Sequence, residues 1–229
     1  MHVNVITLFP ELFTTFSETS FVKKAIVTGA LTLKLEPLRE HGLGKHRSVD
    51  DTPYGGGAGM VLRVDCVAAA IESAEAGTRS HRVLLTPQGR RFVQPMAREL
   101  VERAAVTLVC GRYEGFDERV RALVDEEISL GDFVLAGGEI PAMAVVEACI
   151  RLLPGVLGNE ESASLESFSD DNAGLLEYPQ YTRPATFRGE AVPDVLTSGD
   201  HARIEAWRRK AALEKTLARR PELVRDKGR

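Results

Sequence analysis

The stretch LGDFVLAGGEIP at 130–141 decides the fold together with two shorter segments, LLTPQG at 84–89 and CGRYEG at 110–115. Each segment begins in or just after an apolar run and ends in Gly, Pro or a polar turn residue. That pattern is typical of a buried strand that ends at a ligand. Because ligands of open α/β sheets bind outside the carboxyl ends of the strands, the three segments predict one cofactor pocket formed by three loops.

Outward from these segments, predicted strands and helices alternate up to about residue 155. Strands are expected at 3–8, 31–35, 83–85, 106–110 and 127–130, and helices at 64–76, 92–104, 116–124 and 140–153. The alternation predicts an α/β fold, with a mainly parallel sheet and helices on both faces. The segment 41–60 is rich in Gly, Asp and Pro and is expected to be a long, functional loop. A further helix is expected to start near Asp200.

Composition and cysteine usage indicate a globular cytoplasmic protein. The chain has 229 residues, of which 27% are charged and 44% hydrophobic, and these shares are ordinary for a folded domain. No apolar run approaches the roughly 20 residues of a membrane span, and the amino terminus does not resemble a signal peptide. The three cysteines form no CxxC pair, which argues against a zinc site and a disulfide framework.

Charge is distributed unevenly along the carboxyl-terminal part of the chain. Residues 159–182 contain six acidic residues and no Lys or Arg, whereas residues 203–229 contain ten basic and four acidic residues, a net +6. A basic tail of this kind suits an RNA backbone, but on this feature alone a solvated helix of mixed charge is the favoured interpretation.

Common catalytic motifs are missing from the sequence. GGGAGM at 55–60 does not complete a GxGxxG fingerprint, and there is no Walker A or GxSxG pattern. The histidines form no HExxH pattern, so no metal ligands are predicted. The GGGAGM segment is either a flexible turn or a place where backbone lies close to a flat ligand.

Taken together, long segments of the chain resemble the bacterial tRNA (guanine-N1)-methyltransferase family. The resemblance is carried by segments in the family's order and spacing: ITLFPELF at 6–13, KHRSVDDTPYGGGAGM at 45–60, LLTPQG at 84–89, GRYEGFDERV at 111–120, SLGDFVLAGGEIPAM at 129–143, LPGVLGN at 153–159, YTRPATFRG at 181–189 and SGDHARIEAWR at 198–208. It implies transfer of a methyl group from S-adenosylmethionine to N1 of guanosine 37, beside the anticodon of tRNA.

The resemblance also implies an architecture. It is that of the SPOUT class, an α/β domain tied in a deep trefoil knot, with a small helical carboxyl-terminal domain, and the protein would be a homodimer. Residues 1–158 would form the knotted catalytic domain, 159–177 a flexible acidic linker and 178–229 the domain that binds the anticodon stem-loop.

Binding residues follow from the matching motifs. Those implied for S-adenosylmethionine are Leu84, Leu85, Thr86, Pro87, Gln88, Gly89, Gly111, Tyr113, Glu114, Gly115, Leu130, Gly131, Asp132, Phe133, Val134, Leu135, Gly137, Gly138 and Pro141. Those implied for tRNA are His46, Asp50, Gly55, Gly56, Gly57, Gly59, Arg183, Arg208 and Arg209.

Catalysis in the family uses a carboxylate base and an Arg fifteen positions earlier. Here Arg151 matches the Arg, and Glu166 stands where the family pattern has Asp. Asp170 and Asp171 are the rival carboxylates, and the family's activity is linked to Mg²⁺. Two other functions stay open: a SPOUT methyltransferase for another RNA nucleotide, against which DDTPYGGGAGM weighs, and a non-catalytic RNA-binding protein.

Overall fold

The computed structural model describes residues 1–158 and 166–225. These residues form two compact units that divide between residues 158 and 159. Among them, no helix is long and apolar enough to cross a bilayer.

The first unit alternates strands and helices. Its regular elements are β1 (His2–Thr7), α1 (Leu12–Ser17), α2 (Ser20–Val27), β2 (Thr32–Pro37), a 3₁₀ helix (Leu38–His41), β3 (Asp50–Asp51), β4 (Val61–Leu62), α3 (Val64–Glu75), β5 (His81–Arg91), α4 (Gln94–Val101), β6 (Ala105–Cys110), a second 3₁₀ helix (Glu118–Leu123), β7 (Glu126–Ser129) and α5 (Glu139–Ile150).

A five-stranded sheet with the order β2-β1-β6-β5-β7 forms the centre of this unit, and all its neighbouring strands are parallel. Successive strand residues point to opposite faces, so β5 sends Val83 and Leu85 into one apolar core and Leu84 into another. Helices α1, α2, α4 and α5 cover the first core, and α3 with the two 3₁₀ helices covers the second. The expected α/β fold with helices on both faces of a parallel sheet is confirmed.

Strand β5 is longer than the sequence indicated. Residues 84–89 were expected to end a strand, but β5 continues to Arg91. Both Leu85 and Arg90 lie opposite Ile128 of β7, so the residues between them bulge out of the sheet. Pro87 has no N–H for the ladder, which explains why pairing is interrupted there and resumes later.

Smaller differences occur at three other places. The segment 116–124 was expected to be an α-helix and instead contains a 3₁₀ helix. Helix α5 ends at Ile150, three residues before the expected end, and a series of turns follows. Within the expected loop 41–60, Asp50 and Asp51 form a short antiparallel pair with Val61 and Leu62.

The second unit combines a short hairpin with helices. Its elements are β8 (Thr186–Phe187), β9 (Glu190–Ala191), α6 (Asp194–Thr197), α7 (His201–Arg219) and α8 (Glu222–Arg225). The expected helix start at Asp200 is confirmed, since its side chain accepts a hydrogen bond of 3.1 Å from the N–H of Arg203.

Residues 166–182 contain no helix or strand, but they are hydrogen-bonded within the second unit. The N–H of Leu176 donates to Thr216 Oγ1 at 3.0 Å, and Lys215 Nζ donates to the carbonyl of Glu177 at 2.8 Å. The carboxyl-terminal half of the expected linker therefore packs on α7. Residues 159–165 lie outside the described part.

Candidate functional site

A cavity of about 310 Å³ lies at the carboxyl ends of β5, β6 and β7, at the lower end of the range for small-molecule sites. Three segments form its walls: the bulge of β5, the turn after β6 and the segment between β7 and α5. The lining residues are Leu84, Leu85, Thr86, Pro87, Gln88, Gly111, Arg112, Tyr113, Glu114, Gly115, Phe116, Asp117, Glu118, Arg121, Ile128, Ser129, Leu130, Gly131, Phe133, Val134, Leu135, Ala136, Gly137, Gly138 and Pro141.

The structure brings together all the residues expected to bind S-adenosylmethionine except Gly89 and Asp132. Gly89 lies against the backbone of Glu127 and Ile128, which leaves no room for a Cβ. The carboxylate of Asp132 is exposed and accepts a hydrogen bond of 2.6 Å from Arg91. Both residues lie in the expected segments, but the close packing at Gly89 and the ion pair of Asp132 serve local structure.

Several lining residues were missed by the sequence reasoning. Arg112 lies between two expected residues in GRYEG, so its position in the motif was a usable signal. Arg121 reaches the cavity from the second 3₁₀ helix, where its guanidinium donates to Gln88 and Glu127. Hydrogen bonds to the neighbouring carboxylates, first of all that of Glu118, raise the pKa of Arg121 above its usual value. No local pattern indicated that this side chain would face the cavity.

Gly138 marks the closest approach of two cavity segments. Its N–H donates to the carbonyl of Gly111 at 2.9 Å, which joins the start of α5 to the end of β6. A Cβ at Gly138 would lie 2.6 Å from Cys110 Cα and 2.8 Å from the nitrogen of Gly111. A Cβ on Gly111 would likewise lie 2.8 Å from the ring of Phe116. The protein itself therefore fills the space beside both glycines.

The turn after β6 has a strained backbone. Tyr113 has φ of +59°, a conformation that costs energy for any residue other than glycine. Its ring is half exposed and lines the cavity. Strain of this kind persists where surrounding structure enforces it, and it concentrates at binding sites.

Backbone hydrogen bonds connect this turn to the Gly-rich loop. The N–H of Glu114 donates to the carbonyl of Met60 at 3.0 Å, and the N–H of Leu62 donates to the carbonyl of Gly115 at 2.9 Å. Gly59 has φ of +83°, and a Cβ there would overlap the side chain of Glu114. The end of GGGAGM is therefore held directly beside the cavity.

The rest of the expected tRNA-binding loop is open to solvent. His46 is exposed, and Asp50 is half-buried in β3. Gly55, Gly56 and Gly57 all have positive φ, and no atom lies within 4 Å of a Cβ placed on Gly55 or Gly56. The loop has the free surface that a flat ligand would need.

The expected catalytic residues belong to different units. Arg151 directly follows α5 in the first unit, and Glu166 is the first described residue of the second. Both are partly buried, whereas the rival carboxylates Asp170 and Asp171 are exposed.

A second cavity, of about 470 Å³, lies within the second unit. The guanidinium of Arg208 lies 4.8 Å from the ring centre of Tyr178, and its Nε is buried with no hydrogen-bond partner among the described residues. Arg183, on the rim, and Arg209, on α7, are exposed. The lining residues are Tyr178, Pro179, Gln180, Tyr181, Thr182, Arg183, Ala185, Val192, Leu196, Thr197, Ile204 and Arg208.

Within residues 1–158 and 166–225, no three His, Cys, Asp or Glu side chains are grouped as metal ligands would be.

The family model described as tRNA (Guanine-1)-methyltransferase TrmD matches residues 1–226 of the chain. The chain belongs to this family. The family and the methyltransferase class expected from the sequence are confirmed.

Curated relatives cover almost the whole chain. A tRNA (guanine-N(1)-)-methyltransferase of Sorangium cellulosum (strain So ce56) is 58% identical, and the match covers 98% of this chain and 94% of the relative. Proteins of the same name from Geobacter sp. (strain M21) and Deinococcus radiodurans are 54% and 53% identical, over 98% and 96% of this chain and 90% and 78% of theirs. The cavity is therefore a site in a member of the tRNA (guanine-1)-methyltransferase family.

Proposed function

We propose that the protein transfers a methyl group from S-adenosylmethionine to N1 of guanosine 37 in tRNA. The observation that carries the proposal is the cavity at the ends of β5, β6 and β7 in a chain of this family. The cavity lies between the three segments expected to bind S-adenosylmethionine, at 84–89, 110–115 and 130–141. The end of the Gly-rich loop, GGGAGM at 55–60, is hydrogen-bonded beside the cavity.

Properties of the cavity suit an adenosyl group. Apolar side chains of Leu85, Ile128 and Leu135 can cover the faces of an adenine ring. Backbone groups of the segments 111–115 and 130–138 can form hydrogen bonds with the edge of the adenine ring and with a ribose. Phe133 is an exposed apolar residue that lines the cavity, which suits a site that a ligand covers.

The chemistry needs a base for the N1 proton of guanine. When bound, the donor supplies a methyl group on a positively charged sulfur. We assign Glu166 as the base: its carboxylate accepts the N1 proton as the methyl group passes to N1. Arg151 would stabilise the negative charge that develops on guanine O6.

RNA binding is assigned to two surfaces. The Gly-rich loop, with His46 and Asp50, would hold the target guanosine. The second unit, residues 178–229 with Arg183, Arg208 and Arg209, would bind the anticodon stem-loop. An arginine stacked on a tyrosine beside a cavity is a suitable surface for phosphates and bases.

The knot, the homodimer and the cytoplasmic location belong to this proposal as well. After the edge strand β7, the chain crosses the end of β5 and reaches the end of β6, where Gly138 meets Gly111. This route supports a knotted chain. Val134 and Ile140 are 84% and 57% exposed, and such apolar surface supports a dimer that covers it.

A methylation assay tests the proposal. The full chain is incubated with radiolabelled S-adenosylmethionine and a tRNA transcript that carries guanosines 36 and 37, and the labelled position is mapped. We expect N1-methylguanosine at position 37 and loss of labelling when guanosine 37 is replaced by adenosine. Label at another nucleotide would identify a different RNA methyltransferase, and donor and tRNA binding without methylation would identify a non-catalytic RNA-binding protein.

The donor site has its own variant. Leu135 is 40% exposed and lines the cavity, so Leu135→Arg should leave the core intact. We expect its affinity for S-adenosylmethionine, measured by calorimetry, to fall at least about tenfold, because a charged side chain would occupy the site. Unchanged affinity would place the donor elsewhere.

A further inference from the structure

A buried carboxylate lies directly behind the donor cavity. Glu139, the first residue of α5, is 1% exposed. One of its oxygens accepts a hydrogen bond of 2.9 Å from Nε of Arg112 and lies 2.8 Å from Nη2 of the same guanidinium, and the other accepts a hydrogen bond of 2.8 Å from Thr7 Oγ1.

Thr7 is fully buried at the end of β1, and its hydroxyl is used twice. It donates to Glu139 and accepts a hydrogen bond of 2.9 Å from the N–H of Phe9. The ring of Phe9 in turn lies 4.4 Å from the guanidinium carbon of Arg112. These contacts therefore fix the positions of the Glu139 carboxylate, the Thr7 hydroxyl and the Arg112 guanidinium relative to one another.

Arg112 connects this cluster to both sides of the cavity. Its backbone belongs to the turn after β6, between Gly111 and Tyr113. Its Nη1 donates to the carbonyl of Ala136 at 3.3 Å, in the opposite cavity segment. A Cβ on Gly137 would overlap the guanidinium, so glycine at 137 is what admits it.

We propose that Glu139 and Thr7 are positioning residues that act through Arg112 to set the gap between the cavity segments 111–115 and 130–138. Neither Glu139 nor Thr7 lines the cavity, whereas Arg112 does. The inference rests on the proposed function of this cavity as the donor site. It predicts that substitutions in this cluster lower the affinity for S-adenosylmethionine, whereas substitutions elsewhere that only lower the stability of the domain do not.

The position of the Glu139–Arg112 ion pair favours a functional role over a purely structural one. A buried ion pair gives little net stability compared with apolar packing, so its presence calls for another reason. This pair joins the turn after β6 to the start of α5, and both of these segments border the cavity. Because a small-molecule site buries most of its ligand's surface, a change in the gap between the two segments alters many contacts with S-adenosylmethionine at once and so lowers its affinity.

The same domain offers a matched control. Glu75 is also a carboxylate with a two-point contact to an arginine: its side chain is 8% exposed, and Arg82 Nε and Nη2 lie 2.8 Å from its two oxygens. Arg82 is in the second position of β5, at the opposite edge of the sheet from the cavity. Glu75→Gln therefore weakens a comparable ion pair far from the donor.

The experiment measures affinity for S-adenosylmethionine by calorimetry, and melting temperature, for the full-length parent, Glu139→Gln and Glu75→Gln. We expect both variants to melt at lower temperature, and only Glu139→Gln to lose donor affinity, by about tenfold or more. In single-turnover methylation of tRNA, Glu139→Gln should recover to within about threefold of the parent rate at saturating donor. Equal donor affinity in the parent and Glu139→Gln would overturn the inference, as would equal losses in both variants.

A second pair of variants covers the case in which Glu139→Gln does not fold. Thr7→Val removes the hydroxyl at nearly constant volume, and Thr7→Ser keeps it. We expect Thr7→Val to weaken donor binding about tenfold and Thr7→Ser to restore it to within about twofold of the parent. Equal affinities in these two would also overturn the inference. If the parent itself does not bind S-adenosylmethionine, the proposed function fails instead, so the two failures are distinct.

Discussion

Replacing Gly138 by alanine tests how closely the start of α5 must approach β6. Gly138 has φ of −81°, which any residue can adopt, so the substitution adds no backbone strain of its own. Its cost comes from the new Cβ, which would lie 2.6 Å from Cys110 Cα. Since carbon atoms normally pack about 3.5 to 4.0 Å apart, α5 or β6 must move by roughly 1 Å.

The expected magnitude follows from that displacement. Inserting one methyl group into a packed interior typically costs about 1 to 3 kcal/mol. For a domain of this size, that range lowers the melting temperature by about 2 to 12 °C. Donor affinity should fall as well, by about tenfold to 100-fold, because Gly111 and Gly138 both line the cavity.

Differential scanning calorimetry gives the melting temperature, and isothermal titration gives donor affinity. Gly158→Ala is the matched control, because φ at Gly158 is not positive and no atom of the described residues lies within 4 Å of its added Cβ. A melting temperature within 1 °C of the parent and donor affinity within twofold, for Gly138→Ala, would refute the reasoning.

Three further predictions concern the base, the RNA surface and acid stability. Glu166→Gln should reduce the single-turnover methylation rate by about 10² to 10⁴ with donor affinity unchanged, and Asp170→Asn should have much less effect; the reverse order would assign the base to the second carboxylate. Arg208→Ala should weaken tRNA binding and reduce the slope of log affinity against log salt by about one, as measured by filter binding, and an unchanged slope would mean that this side chain contacts no phosphate. The Arg82 guanidinium lowers the pKa of Glu75 from 4.5 to about 2, so its contribution to stability is complete above pH 4.5 and is lost as the pH falls towards 2. The difference in melting temperature between the parent and Glu75→Gln should therefore shrink over that range, and a constant difference would contradict the assignment.

Sequence alone was sufficient for the α/β fold class and for the three segments that line the cavity. Apolar runs that end in glycine-containing turns are local features, and the carboxyl ends of parallel strands meet at one edge of a sheet. For that reason, LLTPQG, CGRYEG and LGDFVLAGGEIP could be assigned to one cavity before any contact was known. The family followed from motifs that extend over nearly the whole chain.

Contacts between distant segments were decided only by the tertiary structure. Thr7 and Glu139 are 132 residues apart, and Arg112 and Glu139 are 27 apart, and no local pattern indicates which side chains such loops bring together. The return of β5 to pair with β7 beyond its bulge depends on the partner strand, so a break at Pro87 was taken for the end of the strand. The clash at Gly138 likewise depends on how deeply α5 packs against β6, which is set by the filling of the core. The sequence determined which segments form the site, because that information is local, and the packed structure determined the distances between them.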